Sequence, residues 1–234
     1  MHNNEDIVFV GCYTPESGGE GEGVALLRRD PASGALTRGD VVTPTPSPSF
    51  LARHPALPVL YAVNELEEGT VSSWSVAPDG ALTALAVRST GGSHPCHLAV
   101  SADGRYLLVA NYGSGSVAVF PLGPDGAPGQ RTDLAALDGH GPDPLRQEGP
   151  HAHMVAPDPD TGEVLVVDLG ADRVRRYRVD AVTGRLTTQP TAVVTVARTG
   201  PRHLSRHPDG TVLLVGERAA NVTWLRPDPH TGRL

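Results

Sequence analysis

The chain has 234 residues, a formal net charge of −7 and two cysteines. This length can bury a sizeable core in one or two domains, and the acidic balance argues against nucleic-acid binding, which needs a basic face. Cys12 and Cys96 form neither a disulfide framework nor a zinc-ligand spacing. No basic segment precedes an apolar one at the start, and no apolar run is long enough to cross a bilayer. We therefore expect a cytoplasmic protein that binds neither membranes nor nucleic acids.

Turn residues divide the chain into repeats. The 27 glycines and 22 prolines fall at regular intervals between short apolar runs, which is typical of an all-β chain. A glycine-containing turn that ends on leucine recurs about every 50 residues, and such a period indicates a repeat architecture. The clear copies are residues 30–36, 78–82, 180–186 and 228–234, and residues 124–126 form a weaker one.

Each repeat contains several short strands. Its central run is apolar, β-branched and continuous, as expected for a strand buried on both faces, and the next strand alternates. Such units predict a β-propeller with one four-stranded blade per repeat. Residues 7–42 match the outer strands of one blade and four further units follow, so we expect about five blades in a single domain over residues 1–234. The central runs are residues 59–63, 106–110, 164–167 and 212–215.

A proline followed by a short apolar run recurs at one point of four repeats. The innermost strands of a propeller line its central channel, and the loops that lead into them meet at one mouth. We therefore expect the residues after these prolines to converge from separate blades. The prolines are Pro48, Pro95, Pro150 and Pro201. Aligned on them, the next position holds Ser49, Cys96, His151 and Arg202, and the following one holds Phe50, His97, Ala152 and His203.

Two histidines are the first candidates for chemistry. His151 and His153 are two residues apart, so in a strand their side chains point to the same face. One of them could act as a general base or bind substrate near neutral pH. The His-x-His pair could also be part of a metal site with His97 or Asp168. Alternatively, each ring could satisfy the backbone of a turn.

Arg202 and Glu217 are the candidates in the last repeat. The planar guanidinium of Arg202 suits a carboxylate, a phosphate or a developing oxyanion, although it could instead pair with an acid of a neighbouring blade. Glu217 comes directly after a central strand. Its carboxylate could orient a base or pair with Arg202, or it could be a solvated loop acid.

Five further residues at repeated positions are candidates for substrate binding: Asn64, Glu65, His97, Asn111 and His203. Turn formation alone could also explain Asn111, and a similar alternative holds for Asn64 and Glu65.

Two other features are a long insertion and a pair of tryptophans. The segment 139–149 is the longest insertion, and it is either a rim loop over the channel mouth or a plain loop. Trp74 and Trp224 are assigned to one shared packing position of the third strand.

Several stretches together carry a family resemblance. They are residues 10–14, 60–65, 110–117, 150–153, 200–204 and 216–217. As a set, they resemble the bacterial 6-phosphogluconolactonases of the seven-bladed propeller type, a family that also contains the fungal 3-carboxy-cis,cis-muconate lactonizing enzymes. The resemblance covers essentially the whole chain, in order.

This resemblance implies a seven-bladed ring with its active site at one mouth. In the lactonizing branch a histidine, two arginines and a glutamate are proposed for the site. The histidine falls on His151 or His153, the first arginine on Arg202 and the glutamate on Glu217, whereas the second arginine would lie beyond Leu234. Seven units need about 340 residues, so we expect a chain that is incomplete at its C-terminus by about two blades.

The implied activity is hydrolysis of a sugar lactone, foremost 6-phospho-D-glucono-1,5-lactone in the pentose phosphate route, without a metal or other cofactor. His151 or His153 would activate water, Arg202 would hold the oxyanion or the phosphate, and Glu217 would orient one of them. The alternatives are a cyclase that closes a carboxymuconate, or a non-catalytic propeller that binds a ligand or a protein. The oligomeric state stays open.

Overall fold

The computed structural model describes residues 6–190, 193–226 and 228, and these form five small antiparallel sheets. The all-β propeller architecture predicted from the repeats is confirmed. The last repeated turn, residues 228–234, lies almost wholly outside the described residues. No helix in the described part of the chain is long and apolar enough to cross a membrane.

The strands follow one another in chain order within each sheet, or blade. Blade 1 contains β1 (Asp6–Gly11), β2 (Val24–Arg29) and β3 (Leu36–Thr43), with a 3-10 turn at Pro15–Ser17. Blade 2 contains β4 (Leu51–Arg53), β5 (Val59–Asn64), β6 (Thr70–Val76) and β7 (Leu82–Ser89). Blade 3 contains β8 (Pro95–Val100), β9 (Tyr106–Asn111), β10 (Ser116–Pro121) and β11 (Asp133–Ala136).

Blade 4 contains β12 (Ala152–Pro157), β13 (Glu163–Asp168), β14 (Arg173–Val179), β15 (Leu186–Thr188) and the short β16 (Val193–Val194), which also pairs with β14. Blade 5 contains β17 (Pro201–Arg206), β18 (Val212–Gly216) and β19 (Asn221–Leu225). The strands β4, β8, β12 and β17 contact one another in sequence, which makes them the innermost strands. The repeated glycine–leucine turn follows β2 as it follows β6, so β1 to β3 match the outer strands of a blade, as predicted.

The core lies between the blades. In blades 2, 3 and 4 the second strand alternates, with successive side chains packing on the preceding and the following blade. In β5, for example, Leu60 packs beside Val24 of blade 1, whereas Tyr61 packs beside Leu107 and Val109 of blade 3. Burial on both faces explains why these strands are continuous apolar runs.

The assignment of the two tryptophans to one packing position is wrong. Trp74 pairs with Leu60 and is 5% exposed against blade 1, whereas Trp224 pairs with Leu213 on the opposite face of its blade and is 68% exposed. The pairing shows the reason. Leu60 and Val212 are equivalent, and the partner of Val212 is Leu225, so Trp224 stands one position before the equivalent of Trp74 and faces the other side of the blade.

Candidate active site

A β-bulge interrupts the start of three innermost strands. In β8, Pro95 pairs with Asn111 and His97 pairs with Ala110, so Cys96 is the extra residue. The same shift makes His153 the extra residue of β12 and Arg202 that of β17. A bulge re-aims the extra side chain and is frequent beside functional sites. Here it turns three equivalent side chains towards the channel mouth.

The bulges correct the alignment on proline. The position equivalent to Pro95 and Pro201 in blade 4 is that of Ala152 and not that of Pro150. Pro95, Ala152 and Pro201 each pair with the last residue of the second strand in their blade. His153, and not His151, is therefore equivalent to Cys96 and Arg202. In blade 4, after the insertion, Pro150 stands two residues before the equivalent position, and a sequence comparison cannot show this offset.

Four backbone hydrogen bonds support this equivalence. The amide of the residue after each second strand donates to the carbonyl that precedes the bulge segment, at 2.8–3.0 Å. The pairs are Glu65 with Ser47, Tyr112 with His94, Leu169 with His151, and Glu217 with Gly200. His151 therefore corresponds to His94, directly before the inner strand. The residues at the starts of the inner strands form one row near the mouth, and the residues that follow the second strands form another.

These two rows of residues surround a cavity of about 250 Å³ at the channel mouth. The first row contributes all four of its members, Ser49, Cys96, His153 and Arg202. Glu65 and Tyr112 come from the second row. The wall is completed by Tyr13, Phe50, Arg146 and His203.

His153 is a buried histidine in the wall of this cavity. Its ring is 5% exposed, and its Nδ1 has no hydrogen-bond partner within the described protein. Burial, followed by the positive charge of Arg202, lowers the pKa of His153 from 6.5 to about 3. The imidazole is therefore neutral at pH 7, with a ring nitrogen that can accept a proton.

Two of the predicted binding histidines lie in a row beside His153, and of these two only His203 lines the cavity. The ring centroid of His203 lies 5.1 Å from that of His153 and 5.6 Å from that of His97, and His97 packs on Phe50 at 4.0 Å. Burial lowers the pKa of His97 to about 3 and also lowers that of His203. His97 Nδ1 and His203 Nε2 are buried without a hydrogen-bond partner in the described structure.

Glu217 holds two arginines. Its Oε2 accepts a hydrogen bond from Nη1 of Arg202, and its Oε1 lies 3.0 Å from Nη2 of Arg146. The predicted pairing of Arg202 with Glu217 is thus present in the structure. The trio carries a net positive charge, because one carboxylate faces two guanidiniums.

His151 lies outside the cavity wall. Its Nδ1 is 2.9 Å from the carbonyl oxygen of Tyr112, its Nε2 is 3.2 Å from Oε1 of Glu148, and its ring stacks on that of Tyr112. Both ring nitrogens are therefore occupied. The expectation that both histidines point to one face is not met, because the bulge at His153 breaks the alternation between them.

The strand-end amides have structural roles. Asn64 donates to Thr45 Oγ1 and to the Pro46 carbonyl, and its Oδ1 accepts from two hydroxyls. Asn111 donates to Ser116 Oγ. Both side chains are fully buried, and neither Asn64 nor Asn111 lines the cavity. Turn and loop formation, the alternative considered for both, accounts for Asn64, whereas Asn111 Oδ1 is buried without a hydrogen-bond partner in the described structure.

Asp168 occupies the matching position in blade 4 and is also fully buried. Its Oδ1 accepts from the amides of His151 and Ala171, and its Oδ2 is 3.1 Å from Arg175. These contacts occupy both oxygens of the carboxylate. Among residues 6–190, 193–226 and 228, no three His, Cys, Asp or Glu side chains are grouped so as to hold a metal ion.

Glu65 lines the cavity from the side of blade 2. Its Oε2 accepts a hydrogen bond of 2.8 Å from the hydroxyl of Tyr13, and burial together with this contact raises the pKa of Tyr13 to about 12. Glu65 thus contributes a carboxylate to the lining of the cavity.

Sequence reasoning missed several wall residues. Tyr13 and Tyr112 belong to the stretches 10–14 and 110–117 but were assigned no function. Tyr112 holds the same repeat position as Glu65 and Glu217, and this position could have identified it as a wall residue. Arg146 had no such signal, because it belongs to the 139–149 insertion and has no counterpart in other repeats. The insertion does reach the mouth, as the rim-loop interpretation predicted.

Comparison with known proteins agrees with this architecture. A family model described as "Lactonase, 7-bladed beta-propeller" matches residues 7–234. Among curated proteins, the 6-phosphogluconolactonase of Bacillus subtilis is 32% identical over 233 residues, covering 97% of this chain and 64% of that protein. The 6-phosphogluconolactonase of Pectobacterium carotovorum is 36% identical over 166 residues, covering 70% of this chain and 46% of that protein.

Among solved structures, the periplasmic gluconolactonase of Pseudomonas aeruginosa superposes with a TM-score of 0.90 at 33% identity, covering 98% of this chain and 66% of that one. The chain thus spans less than two thirds of the length of these relatives. Because the family model matches nearly every residue and the blades repeat as described, the chain belongs to the seven-bladed β-propeller lactonase family.

Proposed function

We propose that this chain hydrolyses a sugar lactone at the channel mouth, and that 6-phospho-D-glucono-1,5-lactone is its main substrate. One observation carries the proposal: equivalent bulges place His153 and Arg202 in one cavity, with Glu217 holding the arginine. A base, a cation for the oxyanion and a group that fixes the cation are what ester hydrolysis by water requires. The names of the two curated relatives support the choice of lactone.

The first step is attack of water on the lactone carbonyl. A neutral His153 accepts a proton from the water as its oxygen bonds to C1, and the carbonyl oxygen becomes an oxyanion. The low pKa makes the free ring a weak base, but it also keeps the ring unprotonated throughout the neutral range. Negative charge that develops beside the ring raises its proton affinity as the reaction proceeds.

The second step is collapse of the tetrahedral intermediate. The bond between C1 and the ring oxygen breaks, the imidazolium of His153 returns its proton to that oxygen, and an open-chain hydroxy acid leaves. Arg202 donates N–H groups to the oxyanion in both steps, and Glu217 fixes the orientation of the guanidinium. His203 also lines the cavity, and its ring can hydrogen-bond water or sugar hydroxyls.

The cellular location remains a proposal as well. We propose the cytoplasm, where a sugar phosphate would be available, and note that one solved relative is named as periplasmic.

The test is acid release from 6-phosphogluconolactone and from glucono-1,5-lactone, corrected for spontaneous opening. The chain should accelerate opening, and His153→Gln should remove the acceleration. His207→Gln is the matched control, because His207 lies in an exposed turn beside Asp209 and far along the strand from the mouth. No acceleration by the unmodified chain, with ligand binding retained, would instead favour a binding propeller.

A further inference from the structure

The loop between β11 and β12 is built to hold one arginine at the cavity. Its centre is Gln147, which is fully buried and whose side-chain amide donates to the Leu169 carbonyl at 2.9 Å. The backbone of Gln147 donates to Asp143 and accepts from Gly141. A buried, fully bonded anchor makes this loop a fixed part of the mouth, and the neighbouring residue in the chain is Arg146.

A second contact ties the same loop to blade 5. The carboxylate of Asp143 forms an ion pair with Arg218, the residue that follows Glu217. Arg146 itself lies over the ring of Tyr112, with Cζ 5.9 Å from the centroid, and bonds Glu217 Oε1 at 3.0 Å. The guanidinium is therefore positioned by three elements: the loop, blade 3 and blade 5.

The bonding of this guanidinium leaves capacity for a ligand. A guanidinium carries five N–H donors, and the contacts of Arg146 and Arg202 with Glu217 use only part of this set. Glu217 separates the two arginines, one on each carboxylate oxygen, so that they form two distinct cationic points on the cavity wall. The net positive charge of the trio favours an anion that bridges or approaches these points.

A phosphorylated δ-lactone has two groups that match such a pair. Its carbonyl at C1 becomes negative during hydrolysis, and its phosphate at C6 is negative throughout, and the two lie on either side of the ring oxygen. If Arg202 faces the carbonyl oxygen, the phosphate must find another cation. Planar arginine donors suit phosphate oxygens, and Arg146 is the second guanidinium in the described cavity wall.

We propose that Arg146 binds the phosphate of the substrate and makes the cavity select a phosphorylated lactone over its unphosphorylated counterpart. This inference rests on the proposed lactonase function. It gives a purpose to the insertion: a loop outside the repeat adds a specificity group to a mouth that the repeats alone supply with the reacting groups.

The test is a comparison of two substrates in the full chain. Arg146→Gln should raise the KM for 6-phosphogluconolactone at least about tenfold, because a charge-assisted hydrogen bond is lost. Any loss in kcat/KM for glucono-1,5-lactone, caused by the missing contact with Glu217, should be several times smaller. Inorganic phosphate should inhibit the unmodified chain and inhibit the variant more weakly. Arg131→Gln is the matched control, since it removes one arginine charge on an exposed edge of blade 3 and should change neither substrate.

Equal losses on both lactones, or no loss on either, would overturn the proposal. If Arg146→Gln does not melt cooperatively, Arg146→Lys replaces it and should show the same selective loss to a smaller extent. If the unmodified chain opens neither lactone, the proposed lactonase function is refuted. The role of Arg146 is then tested separately, by measuring ligand binding. In that case calorimetry should show 6-phosphogluconate binding more tightly than gluconate in the unmodified chain and not in the variant; equal affinities in the unmodified chain would refute the role.

Discussion

The ring of His151 stacks on the ring of Tyr112, with centroids 4.4 Å apart and 13° between the planes, while His153 meets the same tyrosine edge-on at 5.6 Å. One tyrosine thus separates two histidines that are neighbours in sequence. His151 fills the outer side of Tyr112 and bonds its carbonyl oxygen, and His153 remains in the cavity. This arrangement assigns the two rings different roles.

Replacing the two histidines one at a time should show that His153 is needed for activity and that His151 contributes to stability. We expect His153→Ala to lower kcat by about 10²–10⁴-fold, as for loss of a general base, with little change in unfolding. His151→Ala should instead lower the free energy of unfolding by about 1–2 kcal/mol, since it loses a ring stack and a hydrogen bond. Lactone assays and urea unfolding of both variants provide the measurements. A His151 variant that folds normally but is inactive would reverse the assignment.

Removal of Arg202 should act on the transition state. We expect Arg202→Ala to cost about 2–4 kcal/mol of transition-state stabilisation, read from kcat on glucono-1,5-lactone, because the oxyanion loses its donor. That substrate carries no phosphate, so the effect is separate from phosphate binding. Turnover equal to that of the unmodified chain would exclude Arg202 as the oxyanion donor.

The blades and the meeting of their inner strands follow from sequence because both depend on local patterns. Continuous apolar runs predicted the second strands, and the repeated prolines predicted where the mouth residues lie in blades 2, 3 and 5. The choice between His151 and His153 did not follow, because a bulge is a property of pairing between strands. Neither proline nor histidine spacing records that Ala152, and not Pro150, pairs with Asp168.

Arg146 shows a different limit of sequence reasoning. A repeat comparison finds residues that occur in several blades, whereas Arg146 lies in an insertion that only one blade connection contains. Its place depends on the burial of Gln147 and on the ion pair of Asp143 with Arg218, which join segments more than twenty residues apart. Such contacts are visible only after folding.

The buried carboxylate of Asp168 should be a large contributor to stability. Asp168→Ala leaves Arg175, 13% exposed, without its buried partner and removes the acceptor for two amides, so we expect a loss of about 3 kcal/mol in the free energy of unfolding. Asp138 also pairs with Arg175 but its side chain is 84% exposed, so Asp138→Ala should cost less than about 1 kcal/mol. Urea unfolding of the two variants tests this contrast, and equal losses would contradict it.

The neutral histidines should make the protein less stable in acid. His97 and His153 have folded-state pKa values of about 3, against 6.5 for an unperturbed histidine. Between these values the unfolded chain binds protons that the folded chain does not. Stability is therefore complete above about pH 6.5 and falls as the pH drops towards 3, by up to about 1.4 kcal/mol per pH unit for each ring.

A single substitution isolates this effect from that of the carboxylates. The blade 2 equivalent of His97 is Phe50, a planar ring of similar size, so we expect His97→Phe to fold. We expect the variant to lose less stability than the unmodified chain between pH 6.5 and pH 4, because one titrating ring, which faces His203 and His153, is gone. Urea unfolding at a series of pH values measures the difference. Parallel curves would mean that the pKa of His97 is the same in the folded and the unfolded chain, which would contradict the prediction.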